Sequence, residues 1–176
     1  LQAGFALLGM SAEGGYATDE ERDEHWIRIL GAAPTLVAFF DRARRGLDPV
    51  EPCGDMGTSG DFLWMINGER PDELAERILD VALILHAEHT MNASTFAARV
   101  VASTEADPYS VCSAATGALH GPLHGGANER VLEQLESIGN ADAVADWVAK
   151  QMAERSKIMG FGHRVYKVKD PRATII

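Results

Sequence analysis

No stretch of this chain alternates apolar and polar residues convincingly as a strand, while apolar residues recur at helical spacing almost from end to end. The clearest case opens at Pro71, where Leu74, Ile78, Val81, Ala82 and Leu85 follow at i, i+4, i+7, i+8 and i+11. That spacing lines one face of a 3.6-residue helix. An all-α fold is therefore expected, without internal repeats. Thr18-Asp19-Glu20-Glu21 is a capping-box pattern, and the helix it opens should carry Trp26, Ile27 and Leu30 toward a core and stop near Gly31. Pro34 suits the first turn of a separate helix bearing Leu36, Val37, Phe39 and Phe40. Asp61–Ile66 reads as a short helix. Ala93–Ser103 is apolar nearly all round, as a buried helix would be. Asp107-Pro108 caps Tyr109–Leu119, whose small residues permit close helix packing. Glu129–Ile138 and Ala141–Ser156 complete the set, the last with Val144, Trp147, Val148 and Met152 on one face.

Charge narrows the ligands. The formal net charge of −10 argues against a general nucleic-acid or membrane surface, and no apolar run approaches the ~20 residues needed to span a bilayer. Yet residues 155–172 hold Arg155, Lys157, Arg164, Lys167, Lys169 and Arg172 against a single acid, Asp170. A basic island on an acidic chain suits a small anionic ligand. Two cysteines, Cys53 and Cys112, match no metal or redox spacing and point to a reduced, cytoplasmic setting. Leu1 begins mid-pattern without an initiator Met, and the chain stops at Ile176 just after Asp170-Pro171 signals a helix start. A fragment is expected.

Five of the six histidines fall in or beside irregular stretches; His25, among charges on a helix, reads as a surface residue. Three stretches are strongly patterned. Leu85-His86-Ala87-Glu88-His89-Thr90-Met91-Asn92 has H-x-x-H spacing, but lacks the H-E-x-x-H order, and no metal is expected. Gly121-Pro122-Leu123-His124-Gly125-Gly126-Ala127-Asn128 brackets a histidine with three glycines and a proline, just before a helix. Glycine admits close backbone approach, and the helix N-terminus disfavours a protonated imidazole, which suits a neutral hydrogen-bonding histidine. A phosphate cradle or a plain connection has the same pattern. Met159-Gly160-Phe161-Gly162-His163-Arg164-Val165-Tyr166-Lys167, then Asp170-Pro171-Arg172, sets another glycine-flanked histidine in the basic island.

In this order and separation, the three blocks resemble citrate synthase of the bacterial type, and the resemblance covers essentially the whole chain, as a middle portion of the family's length. It implies an all-α fold, with residues 1–122 in a large helical domain and 123–176 opening a small one, His124 lying at the hinge. It implies condensation of acetyl-CoA with oxaloacetate to citrate and CoA through an enol, with acetyl-CoA a substrate and no resident cofactor. His124 would hydrogen-bond the thioester oxygen as the enol forms, and His163 would polarise the oxaloacetate carbonyl. His89 and Arg172 would hold oxaloacetate carboxylates. Lys157, Ile158, Met159, Gly160, Phe161 and Gly162 would form the loop that recognises the CoA adenine, with Lys167 near a CoA phosphate. The resemblance also implies a homodimer or higher homo-oligomer, with Ala93–Ser103 and Tyr109–Leu119 in the interface. The base that removes the acetyl proton is, in the family, an aspartate some fifty residues beyond His163's position. Glu88-His89-Thr90 stands where the family often has Asp-His-Glu. The alternatives are a 2-methylcitrate synthase using propionyl-CoA and a non-catalytic binding relative.

Overall fold

The computed structural model describes residues 1–88, 90–161 and 168–175 of the chain, with residues 127 and 128 described for backbone only. Among the described residues the regular structure is eight α-helices and two short 3-10 turns, with no strand. The helices are α1 (Gln2–Met10), α2 (Asp19–Arg44), α3 (Thr58–Asn67), α4 (Glu73–His86), α5 (Ala93–Ala102), α6 (Pro108–Leu119), α7 (Gly126–Ile138) and α8 (Val144–Ala153). The chain divides into two compact units, Leu1–Ala118 and Leu119–Ile176.

Local chemistry sets most of the boundaries. Thr18 Oγ1 accepts from the Glu21 N–H and the Glu21 carboxylate accepts from the Thr18 N–H, so both halves of the capping box form. The same carboxylate accepts from the Ala17 N–H, and these backbone bonds hold it below the usual range for a glutamate. Asp72, Asn92 and Asp107 cap α4, α5 and α6 by accepting from Ala75, Thr95 and Ser110 N–H groups at 2.7, 2.9 and 2.9 Å. The cap of α4 is Asp72 rather than a helix opened by Pro71 itself. Helix α3 is longer than Asp61–Ile66 suggested: Gly57, extended at ψ 167°, is its N-cap, the helix already includes Thr58, Ser59 and Gly60, and Gly68, at φ +79°, closes it.

Two expectations fail in α2. The helix runs unbroken through Gly31 and Pro34 for 26 residues. A proline inside a helix loses one hydrogen bond and crowds the carbonyl four residues back, which here is Leu30. The intervening Gly31, Ala32 and Ala33 place nothing bulky in that turn. The buried face is also rotated from the one the pattern favoured. His25 and Ile29 are buried, while Ile27 and Leu30 are 68% and 71% exposed. Trp26, Ile27, Ile29 and Leu30 spread over an arc of about 160° of the helix, wider than one contact face, so periodicity alone does not choose which part of it is buried.

The core of the first unit forms where α1, α2 and α6 meet, around Phe5, Ile29 and Tyr109, with Leu8, Ala33, Leu36 and Cys112 packed against them. Gly9 lets α1 touch α6, since a Cβ there would stand 2.9 Å from the Tyr109 Cβ. His25 is not a surface residue. It is 5% exposed, its Nε2 lies 3.1 Å from the Gly15 carbonyl, and its Nδ1 lies 2.9 Å from the Tyr109 hydroxyl. A carbonyl only accepts, so Nε2 carries the proton and Nδ1 accepts from Tyr109. Burial pushes the Tyr109 phenol above its ordinary range, which keeps it a donor.

Helices α3 and α4 extend this unit. The buried Ser59 hydroxyl donates to Asp80 at 3.0 Å, and Arg42 and Arg45 donate to the Ile66 carbonyl at 3.0 and 2.9 Å. The apolar stripe of α4 is only partly covered: Val81, Ala82 and Leu85 are half-buried, but Leu74 and Ile78 are exposed, and so are Phe96 and Val100 of α5, against the expectation of a buried helix. Replacing Tyr109 with Phe should cost about 1–3 kcal/mol, because it leaves the buried His25 Nδ1 without a donor. Urea denaturation checks this; a change below about 0.5 kcal/mol would mean that the bond adds nothing net.

Candidate active site

The second unit is built around the turn between α6 and α7. Leu119 ends α6, and its carbonyl accepts from the Gly125 N–H at 2.9 Å. The Gly121 carbonyl accepts from the His124 N–H at 2.9 Å and from the Gly126 N–H at 3.4 Å. The loop thereby folds back on itself, and His124 sits half-buried two residues ahead of α7, whose N-cap Gly125 supplies no side-chain cap. The sequence pattern placed His124 at a helix N-terminus, and it stands there. The reason for one of the glycines differs from the expected one. Gly125 has ordinary helical angles, φ −64° and ψ −29°, but a Cβ on it would lie 2.3 Å from the Leu119 carbonyl oxygen and 2.9 Å from the Leu119 Cδ1. The chain's own backbone, rather than a ligand, requires glycine at this position.

Arg172 lies in the 3-10 turn Pro171–Thr174, capped by Asp170. The Asp170 carboxylate accepts from the Arg172 backbone N–H at 2.9 Å, from Nε at 3.0 Å and from Nη2 at 2.6 Å. The guanidinium therefore already presents its fork to a carboxylate, in the geometry that planar bidentate recognition uses. Both side chains are about two-thirds or more buried.

Of the expected coenzyme loop, residues 157–161 are described. The Phe161 N–H donates to the Ile158 carbonyl at 3.3 Å, and Gly160 adopts φ +85°, as the third position of a type II turn demands. Ile158 and Met159 are half-buried, whereas Lys157, Gly160 and Phe161 are exposed, Phe161 by 81%. Gln134, in the third turn of α7, accepts from the Met159 N–H at 2.7 Å and reaches the Met159 carbonyl with Nε2 at 3.4 Å. Sequence reasoning passed over this residue. Its one signal is position: Val131, Gln134 and Ile138 are the half-buried residues of α7's outer turns, while Leu132 and Leu135 are exposed, so a polar amide occupies an inward site.

His89, His163, Gly162 and Lys167 lie outside the described residues. Around His89, the His86 Nδ1 is turned to the Ala82 carbonyl at 2.6 Å, and Glu88 accepts from the Thr90 N–H at 2.6 Å. Thr90 adopts φ +52°, uncommon for a β-branched residue. No group of three or more His, Cys, Asp or Glu side chains suited to a metal ion occurs among the described residues. Nor is any helix among them long and apolar enough to cross a membrane.

The family model described as citrate synthase, C-terminal domain, matches residues 1–176. This chain belongs to the citrate synthase family. It is 55% identical to a citrate synthase of Synechocystis sp. over 181 residues, covering 100% of this chain and 45% of that protein. A 2-methylcitrate synthase of Mycobacterium tuberculosis is 47% identical over 146 residues, covering 83% of this chain and 37% of that protein. The solved ternary complex of carboxymethyl coenzyme A and oxaloacetate with the citrate synthase of Thermoplasma acidophilum is similar at a TM-score of 0.87 and 31% identity, over 99% of this chain and 46% of that one. The helical fold is thus that of the citrate synthases, and the chain spans about half the length of the relatives it matches. The Gly125 geometry makes a testable claim: Gly125→Ala should destabilise the protein by about 1–3 kcal/mol through the clash with Leu119. An unchanged denaturation midpoint would show that the loop can accommodate a Cβ.

Proposed function

We propose that the protein containing this chain is a citrate synthase, joining acetyl-CoA and oxaloacetate to give citrate and CoA. The observation that carries this reading is the seat of His124, on a self-bonded turn directly ahead of the α7 N-terminus. Forming a carbon–carbon bond from a thioester requires removal of a methyl proton while the thioester oxygen takes up negative charge. A neutral imidazole held rigidly can donate a hydrogen bond to that oxygen as the enol forms. The enol carbon then attacks the ketone of oxaloacetate, and water releases CoA from the resulting thioester.

In this reading His124 is the donor to the enol and His163 polarises the ketone. His89 and Arg172 hold oxaloacetate carboxylates. The bidentate hold of Arg172 on Asp170 supports the last assignment, because it displays the geometry a substrate carboxylate would use. Residues 157–162 receive the adenine of CoA and Lys167 a phosphate. The exposed Lys157 and Phe161, a cation and a flat apolar ring, are suitable partners for an adenine nucleotide. Residues 1–122 belong to the large helical domain and 123–176 begin the small one, a boundary supported by the division of the chain after Ala118. Closure of such domains would keep water from the enol. The exposed Phe96 and Val100 of α5 support a homodimer that covers them. Acetyl-CoA acts as a substrate with no resident cofactor, and the setting is the cytoplasm, in keeping with two free cysteines.

The 2-methylcitrate synthase of M. tuberculosis, at 47% identity, supports a second reading in which propionyl-CoA is preferred. A pocket larger by one methylene discriminates by only about 1–3 kcal/mol, so both thioesters should be turned over to some degree. The ratio of kcat/KM for acetyl-CoA and propionyl-CoA on the whole protein decides: a value above one supports the first reading, below one the second. Turnover of neither would leave a non-catalytic binding relative. His124→Ala should lower kcat by about 10²–10⁴-fold while leaving oxaloacetate binding within about twofold. Unchanged turnover would sink the role of His124. Arg172→Leu should raise KM for oxaloacetate by about 10–100-fold; a change confined to the coenzyme's KM would remove Arg172 from the carboxylate site.

A further inference from the structure

The geometry points to Gln134 as a positioning residue for the coenzyme: its side-chain amide fixes the turn Ile158–Phe161, and α7 thereby ties that turn to His124. The inference rests on the reading of residues 157–162 as the adenine site.

The turn closes through a backbone bond from the Phe161 N–H to the Ile158 carbonyl. In such a turn the second residue, here Met159, keeps both its N–H and its carbonyl outside that bond. Left unpaired in a half-buried place, these groups would cost free energy. Gln134 meets both. Among neutral side chains only an amide carries an acceptor and a donor side by side, spaced to match the N–H and C=O of a peptide. The N–H of Met159 donates to Oε1 at 2.7 Å, a short bond, and Nε2 reaches the Met159 carbonyl at 3.4 Å, a long one. The first carries most of the hold.

The placement on α7 gives the contact its meaning. His124 stands just before the first turn of this helix and Gln134 sits in its third. Eight residues separate Gly126 from Gln134, about 12 Å along a helix axis at 1.5 Å per residue. A helix is stiff over that distance. One rod therefore fixes the separation between the histidine that meets the thioester and the turn that meets the nucleotide, the two ends of one long, flexible substrate. Pre-setting that separation spares the ordering of the receiving loop on binding, and the benefit appears as affinity. A side chain at Gln134 that touches neither end would thus affect the whole coenzyme but not a thioester lacking the nucleotide.

The test uses the whole protein and two thioesters, acetyl-CoA and acetylpantetheine, which lacks the adenine nucleotide. Gln134→Met keeps length without hydrogen bonds, and Gln134→Asn keeps the amide but shortens its reach. Both should raise KM for acetyl-CoA about tenfold, with kcat and KM for oxaloacetate within about twofold. Gln134→Glu keeps the acceptor for the Met159 N–H and should stay within about threefold of wild type. With acetylpantetheine, all variants should match wild type. An equal loss with both thioesters would overturn the inference in favour of a purely structural role, as would a wild-type KM for acetyl-CoA in both Gln134→Met and Gln134→Asn. If wild type itself uses the two thioesters equally well, the adenine reading of the loop falls, and the inference with it. A variant that does not fold is replaced by the other in the same comparison.

Discussion

His25 is the joint on which the first unit depends. Its imidazole donates to the Gly15 carbonyl, accepts from the Tyr109 hydroxyl and packs tilted against the Tyr16 ring, with 4.5 Å between ring centroids. One side chain thereby holds the stretch after α1, the start of α2 and the first turn of α6, with partners 10 and 84 positions away in the sequence. Apolar burial supplies the drive that brings these helices together, but it has no direction. The imidazole adds direction, because its two nitrogens satisfy two particular partners and no rotation of α2 preserves both bonds. Phe5, Ile29 and Tyr109 then pack in the register that His25 permits.

What the sequence disclosed follows from how far each determinant reaches. Caps are local, so Thr18 and Asp107 were readable from three or four neighbouring residues. The all-helical class was readable because period survives any detail of packing. The continuity of α2 was not, since Pro34 is a breaker by its own chemistry and only the small residues before it make the turn tolerable. Nor was the burial of His25, whose sequence neighbours Asp23, Glu24 and Arg28 are charged and whose partner Tyr109 is remote. Of the site, His124 was legible as a glycine-bracketed histidine before a helix. Gln134 was not, because an amide on a helix with charged neighbours gives no hint that it faces a peptide in another segment.

In the second unit, backbone bonds rather than side-chain packing set the geometry. The α6–α7 turn is closed by the carbonyls of Leu119 and Gly121, and the 157–161 turn by its own backbone together with Gln134. Such elements shift little when surrounding side chains change, which suits a site that must keep polar groups in fixed relation to a reacting bond. Arg172 and Asp170 follow the same logic on a smaller scale, the carboxylate holding both the backbone and the fork of its neighbour.

Gly125 bears on how relatedness should be interpreted across the family. A glycine demanded by a ligand is released from selection once the ligand is no longer used. A glycine demanded by the Leu119 carbonyl is not, because the chain must still turn there to fold. A descendant that had abandoned the chemistry would therefore go on displaying this glycine, and persistence of Gly125 records inheritance of shape. Under the proposed function, the imidazole of His124 is the part of the signature that would report on work still being done.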